Sequence, residues 1–428
     1  MYSIKIAIRS LFYRKSQYMS LFLVCMFGLA ISICAICISN GMIKTLNQKA
    51  KIYYGGDFTL MCSYGDGLEI FDYEEKLQKI KELLPDDAQV YARIDFAARR
   101  NSSFYFEGTQ ALQQTIKGVD FDKEKDLLSS FNIVEGSLEG LSGSNSIIIS
   151  LPIARLLNVQ VGDEITLQLK TLTSYINTVD VKVGAIFQDS SAFGMYTSYI
   201  DFDYLHDARE YPEHYANRIC VNFPKRNISQ KELYSIYLKL AQEFNFVPYL
   251  DDKDDFTDNQ YKFPSETWGF VPLSANLTDI QIMQKAMDAV ITFIIVMLTV
   301  IIIAGIGSTY RVLIMKRINE IGIYMALGMK KRSILFTLLF ESFVLLVLGC
   351  AAGLIFSGIF NWILSLFNFS FIPSFDMFLE KGNLVPRLDV FKSVIVVISV
   401  IITTMFAVFY STLTSIKIMP VDALATTE

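Results

Sequence analysis

The stretch AVITFIIVMLTVIIIAGIGSTY, residues 289–310, decides the fold: it carries no charge and runs unbroken from Asp288 to Arg311. A helix that crosses a bilayer needs about 20 mostly apolar residues, and this run supplies them. Three other windows meet the same test. One lies between Lys15 and Lys44, one runs from Ile334 to Leu366 with Glu341 as its single charge, and one is SVIVVISVIITTMFAVFYSTLTSI between Lys392 and Lys417. The fold class expected is therefore an α-helical membrane protein with four transmembrane helices, at 18–40, 284–310, 334–366 and 390–416. A large extracytoplasmic α+β domain at 41–283 is inserted between helices 1 and 2.

Composition agrees. The chain has 428 residues, 52% of them hydrophobic and 19% charged, and its mean hydropathy is +0.37. That balance excludes a disordered chain and argues against a wholly soluble one. The net charge of −5 hides an asymmetry: residues 41–283 carry 23 Lys and Arg against 35 Asp and Glu, and the remainder carries 15 against 8. Acidic middle and basic ends exclude a nucleic-acid partner. Basic residues gather before span one (Lys5, Arg9, Arg14, Lys15) and between spans two and three (Arg311, Lys316, Arg317, Lys330, Lys331, Arg332). The positive-inside rule places both segments, 1–17 and 311–333, in the cytoplasm with the 417–428 tail. The insert and a short loop at 367–389 then lie outside. Span one is longer than the apolar core of a signal peptide and is read as an uncleaved anchor. Ile4, Ile8, Leu11 and Phe12 share one helix face, so 2–16 is expected to lie at the membrane interface.

Within the insert, FDYEEKLQKIKELLP places Leu77, Ile80 and Leu84 on one helical face before Pro85. NSIIIS (145–150), DEITLQLKTL (163–172) and VDVKVGAIFQ (179–188) alternate as strands, with LPIARLLN a short helix between the first two. Residues 228–245 read as a second helix with Leu233, Ile236, Leu240 and Phe244 inward. DDKDDFTD (251–258) lacks EF-hand spacing and is read as a solvated acidic run. His206 and His214 are too far apart for the usual metal pair, and no metal ligand set is expected. No GxxxxGK[ST], GxSxG or HExxH occurs, so no ATP site, catalytic residue or cofactor is expected on this chain. Cys62 and Cys220 alone lie outside the spans, where a disulfide could form; their separation in sequence favours two free thiols.

RVLIMKRINEIGIYMALGMKKRSI (311–334) links spans two and three. Ile314, Ile318, Ile321 and Met325 form one helical stripe, Arg317 and Glu320 can pair at i, i+3, and Gly328 suits a left-handed helix end. The stripe is expected to face either the membrane or a soluble partner. Gly349, Gly353 and Ser357 in span three, and Ala304 and Ser308 in span two, are small residues at the spacing that lets helices approach closely. They suit helix packing within the chain or at a subunit interface.

Arg317, Glu320, Ile321, Gly322, Ala326, Leu327 and Gly328 spell R-x-x-E-I-G-x-x-x-A-L-G, followed by a basic turn and an apolar helix with Glu341. This resembles the FtsX-like permease domain of MacB-type (type VII) ABC transporters, as does PVDAL (420–424). IKGVD (116–120), VEGSL (134–138) and SIIISLPIARLLNVQVGDEITL (146–167) are similar to that family's outer domain. Tyr324 departs from the family's usual Leu-Arg, and the aromatic-rich run FGMYTSYIDFDYLHD (193–207) has no specific functional match. The insert's size and the 146–167 segment look most like the lipoprotein-releasing subunits LolC and LolE.

The resemblance implies a permease in the bacterial inner membrane, paired with a second permease subunit and with cytoplasmic ABC ATPase subunits that bind ATP and Mg. It implies lipoproteins as cargo, drawn from the surrounding membrane lipids and passed to a periplasmic carrier. It assigns ATPase coupling to the seven motif residues and leaves the substrate site unknown. Rival readings are an exporter of peptides or drugs working with an adaptor, and a regulator of cell-wall hydrolases.

Overall fold

The structure is a computed structural model and describes residues 15–64, 67–98, 101–191, 193–263, 265–372 and 374–416. The amphipathic segment expected at 2–16, except for its last two residues, and PVDAL lie outside the described residues. The chain divides into two compact units. A helical unit takes residues up to 42, 285–367 and those from 384; a sheet unit takes 43–284 and 368–383.

Long helices follow the apolar windows: α1 (Lys15–Tyr54), α2 (Thr278–Lys316), α4 (Lys331–Ser365) and α5 (Val390–Ile416), with the short α3 (Ile318–Ala326) between α2 and α4. Four of them are long and apolar enough to cross a membrane: 18–54, 280–316, 331–365 and 390–413. The first two run well past their apolar windows into polar sequence. The core of the helical unit joins Leu21, Cys25 and Leu29 of α1 to Ile302 and Ile306 of α2 and to Leu338, Leu346 and Cys350 of α4. Much of the remaining surface of α2 and α5 is exposed and apolar, including Phe293, Ile301, Ile402 and Phe406, as expected of lipid-facing helices.

In the sheet unit the strands are β1 (Phe58–Tyr64), β2 (Gly67–Leu68), β3 (Gln89–Ala97), β4 (Ser102–Phe106), β5 (Thr109–Leu112), β6 (Thr115–Val119), β7 (Ile133–Gly136), β8 (Ser146–Ser150), β9 (Glu164–Lys170), β10 (Ile176–Phe187), β11 (Thr197–Asp201), β12 (Arg218–Asn222) and β13 (Thr267–Pro272). Their order is β13-β1-β12-β3-β6-β11-β8-β10-β9-β4-β5, with β2 on β1 and β7 on β10. Alternation decides which face is buried: Ile165, Leu167 and Leu169 of β9 point inward while their neighbours do not. The β8–β10 and β6–β11 pairs are parallel; the rest of the path is antiparallel. The sheet carries two main cores. One packs β8, β9 and β10 with helices Leu151–Leu157 and Phe202–Ala208. The other packs β1, β12 and β13 with helices Tyr73–Leu83 and Gln230–Leu240, through Ile80, Leu233, Ile236 and Leu240.

Residues 368–383, within the short loop read at 367–389, fold with the sheet unit. The reason is a buried carboxylate. Asp376 accepts hydrogen bonds from Gln188 Nε2 at 2.9 Å, Ser190 N at 3.0 Å and Ser190 Oγ at 2.7 Å. Cys62 and Cys220 are both free and buried: Cys62 faces Trp268 across β1–β13, while Cys220 faces Thr59. His206 meets Pro212 O at 2.8 Å, and His214 meets Glu74 at 3.1 Å. Part of the acidic run forms a short helix, Asp254–Thr257.

Candidate coupling site

The site is built where α2 ends. Arg317, at φ −104° and ψ 8°, breaks the helix, so the stretch is two helices and not one. At the far end of α3, Gly328 has φ +85°. Its N–H donates to Met325 O and the N–H of Met329 donates to Tyr324 O, both at 3.0 Å. This is the paired capping of a left-handed C-terminus, which satisfies carbonyls the helix leaves open and turns the chain into α4.

Arg317 is turned inward and is 4% exposed. Its Nη1 donates to Glu341 Oε2 at 2.7 Å and to Tyr18 Oη at 2.8 Å, and its Nε pairs with Glu320 Oε2 at 3.3 Å. Tyr18 in turn donates to Glu341 Oε1 at 2.5 Å. Glu341 is 1% exposed and Tyr18 3%. One guanidinium thus ties together α1, the α2–α3 break, α3 and α4. Charge-assisted hydrogen bonds are short and directional, so this knot fixes geometry more than it adds net stability. Below it, Tyr310 donates to Leu338 O at 2.9 Å.

The seven motif residues do not share one role in space. Arg317, Ile321 and Gly322 are buried, Glu320 is half-buried, and Ala326, Leu327 and Gly328 are exposed. The apolar stripe is partly covered by the chain itself: Ile314 and Ile321 are buried in the core with Ile334 and Leu338 of α4, Met325 packs against its edge, and Ile318 is half-buried and is not part of that core. For Ile314 and Ile321 the expectation that this stripe faces a partner or the membrane is therefore corrected. The face left open carries Ile323 and Leu327, the latter 79% exposed, followed by exposed Lys330, Lys331 and Arg332.

The small residues of α4 pack against α1 of the same chain. A Cβ on Gly349 would meet Cys25 Sγ at 3.2 Å, and one on Gly353 would meet Met26 O at 2.8 Å. Ser357, also buried, is reached by Asn361 Nδ2 at 3.3 Å, while Cys34 donates to Asn361 Oδ1 at 3.1 Å. Ala304 and Ser308 of α2 are exposed.

The sheet unit holds a second junction, at the end of α1. Arg93 Nη1 donates to Ile52 O at 3.0 Å and Tyr53 O at 3.3 Å, Tyr91 Oη donates to Gly55 O at 2.9 Å, and Lys51 pairs with Asp57 at 2.5 Å. Arg93 is wholly buried and paired with wholly buried Glu124, whose carboxyl is raised above the usual range by burial against the opposing pull of Arg93. A cation at a helix C-terminus complements its dipole. Sequence reading missed Tyr18, Arg93 and Asp376. For Asp376 the available signal was a charge alone in an apolar run, FIPSFDMF.

Among the described residues no three of His, Cys, Asp and Glu could together hold a metal ion. Residues 22–244 match the family model for the MacB-like periplasmic core domain, and residues 292–420 match that for the FtsX-like permease C-terminal domain. Among solved structures, the periplasmic region of MacB from Actinobacillus actinomycetemcomitans is similar over 54% of this chain and 95% of its own, at 8% identity and a TM-score of 0.33. No curated protein matches. With its four long apolar helices, the chain belongs to the FtsX/MacB-type permeases, the multi-pass membrane subunits of ABC transporters.

Proposed function

We propose that this permease works by mechanotransmission in the bacterial inner membrane and extracts lipoproteins from the outer leaflet for delivery to a periplasmic carrier. The observation that carries the mechanical reading is the Arg317–Glu341–Tyr18 knot. It ties the root of α3 to α1 and α4, so a push on the exposed face of α3 is passed to three helices at once. In this reading α3 docks on a cytoplasmic ABC ATPase that binds ATP and Mg. Arg317, Ile321 and Gly322 set the helix, Glu320 steadies it, and Ala326, Leu327 and Gly328 form the contact. A second permease subunit, identical or related, completes the machine. Arg93 and Asp376 then pass motion to the sheet unit, one from α1 and the other from the loop continuous with α4 and α5.

Lipoprotein cargo is supported by the size of the sheet unit and by residues 146–167, which form β8, a short helix and β9. Lifting a lipid-anchored protein out of a bilayer costs about 0.8 kcal/mol per buried CH₂, so three acyl chains demand an energy source. The spans offer little path for a polar solute: Glu341, in the first third of α4, is locked by Arg317 and Tyr18. The test is reconstitution with the cognate ATPase in proteoliposomes bearing a triacylated lipoprotein. ATP-dependent transfer of lipoprotein to a soluble carrier is expected. ATP-driven movement of a free peptide or dye with no lipoprotein release would reject this cargo and favour efflux.

A further inference from the structure

The sheet unit contains a cavity of about 220 Å³. Three parts of the chain wall it: one face of α1 (Thr45, Gln48, Lys49, Ile52), the segments around 129–132 and 187–194, and residues 379–381 of the pinned loop. Its volume is below the roughly 300–1,000 Å³ of sites that take drug-sized ligands, so its occupant is small.

The lining states the chemistry. Its charged residues are Lys49, Lys381, Asp189 and Glu380, two of each sign. Lys49 Nζ and Asp189 Oδ2 are 3.6 Å apart, longer than a direct hydrogen bond, with both side chains mostly buried. An occupant with net charge would leave a charge uncompensated in a confined site, which is costly. A zwitterion would not: its ammonium meets Asp189 and its carboxylate meets Lys49. Behind them stand Phe131, Phe187 and Tyr199, packed on one another at 4.9 to 6.1 Å between ring centroids. This wall suits a compact apolar body.

We propose that this cavity is a binding site for a small zwitterion with an apolar body, of the apolar α-amino acid class. The walls come from α1, from the sheet, and from the loop joining α4 to α5, so an occupant bridges three parts of the chain and holds them in one arrangement. The site goes beyond the transport reading and does not depend on which cargo the permease carries.

The experiment is isothermal titration of the full chain in detergent with three probes: phenylalanine, 3-phenylpropanoate and 2-phenylethylamine. They share a ring and differ in which charges they carry. Saturable binding of phenylalanine is expected, with each singly charged analogue at least tenfold weaker. Asp189→Asn and Lys49→Met should each weaken phenylalanine at least tenfold. Asp189 also accepts the N–H of Ser191 at 2.8 Å, so a blocking variant at the exposed rim, Ser130→Trp, is included. The comparison of three probes on the unmodified chain stands whether or not a variant folds. Absence of saturable phenylalanine binding, or equal binding of all three probes, overturns the proposal; lipoprotein transfer would be untouched by either result.

Discussion

At the scale of single residues, the decisive fact is that the buried charges Arg317 and Glu341 are paired with each other. Arg317→Met would leave Glu341 without its cation in the membrane-facing core. Removing one partner of a buried ion pair costs about 3–5 kcal/mol, because the other charge stays desolvated. The double change Arg317→Met with Glu341→Leu removes both charges and should recover most of that loss. Unfolding midpoints of the single and double variants in one detergent check this; additive losses would show that the two residues do not act as a pair. The thiols of the sheet unit give a second expectation. Burial pushes Cys62 and Cys220 up to about 12. The thiolate is the reactive form, so at pH 8 both stay protonated. Neither should be alkylated by iodoacetamide until the unit is unfolded, and rapid labelling of either in the native chain would contradict the packing described.

At the scale of elements, α3 and the α1–α4 contact carry separate predictions. Glu320→Lys places a cation three residues from Arg317, a repulsion of a few tenths of a kcal/mol on a partly exposed helix. Permease levels should stay normal. ATPase co-purification should fall, since Glu320 would no longer hold Arg317 and the α3 face that forms the contact would lose its support. Gly328→Val acts on the turn itself. A Cβ there meets nothing within 4 Å, so the cost is conformational, about 1–2 kcal/mol for a left-handed residue. Both permease level and ATPase association should drop, with Gly328→Asn milder, as read by co-purification normalised to permease. The α1–α4 contact holds its own probe: Cys25 Sγ and Cys350 Sγ are 3.9 Å apart. Oxidation by copper-phenanthroline should join them within one chain, detectable as a linked peptide pair by mass spectrometry. Gly353→Leu would push against the backbone of α1 at Met26 and should abolish the link. Links only between chains would place the small-residue stripe at a subunit interface.

At the scale of the whole molecule, the loop between α4 and α5 matters more than its length suggests. Three hydrogen bonds on Asp376 fold it onto the sheet unit, giving that unit a covalent route to α4 and α5 besides those through α1 and α2. Asp376→Ala would leave Gln188 and Ser190 without their acceptor, at about 1–3 kcal/mol. We expect normal ATPase association and normal basal hydrolysis in that variant, with transport lost. Full transport by Asp376→Ala would mean that α1 and α2 alone carry the motion.

Much of this was legible in the sequence because it is local. Whether a window is apolar for the length of a bilayer depends on its own residues, so the four long helices could be read directly. Alternation at 145–150, 163–172 and 179–188 depends on neighbours two apart, so β8, β9 and β10 could be read as well. The motif 317–328 was visible for the same reason, including the glycine that turns its end. What faces what was not legible. The stripe has the same periodicity whether it meets a partner, lipid or α4; only packing shows that Ile314 and Ile321 are buried with Ile334 and Leu338. Arg317 could be seen to reach Glu320 three residues away, but its hydrogen bond to Tyr18 spans 299 residues and that of Tyr18 to Glu341 spans 323. The partner of a buried charge is set by which elements stack together. That choice belongs to the tertiary structure, because desolvation makes an unanswered buried charge costly and only the fold decides which charge or hydrogen-bond donor stands close enough to answer it.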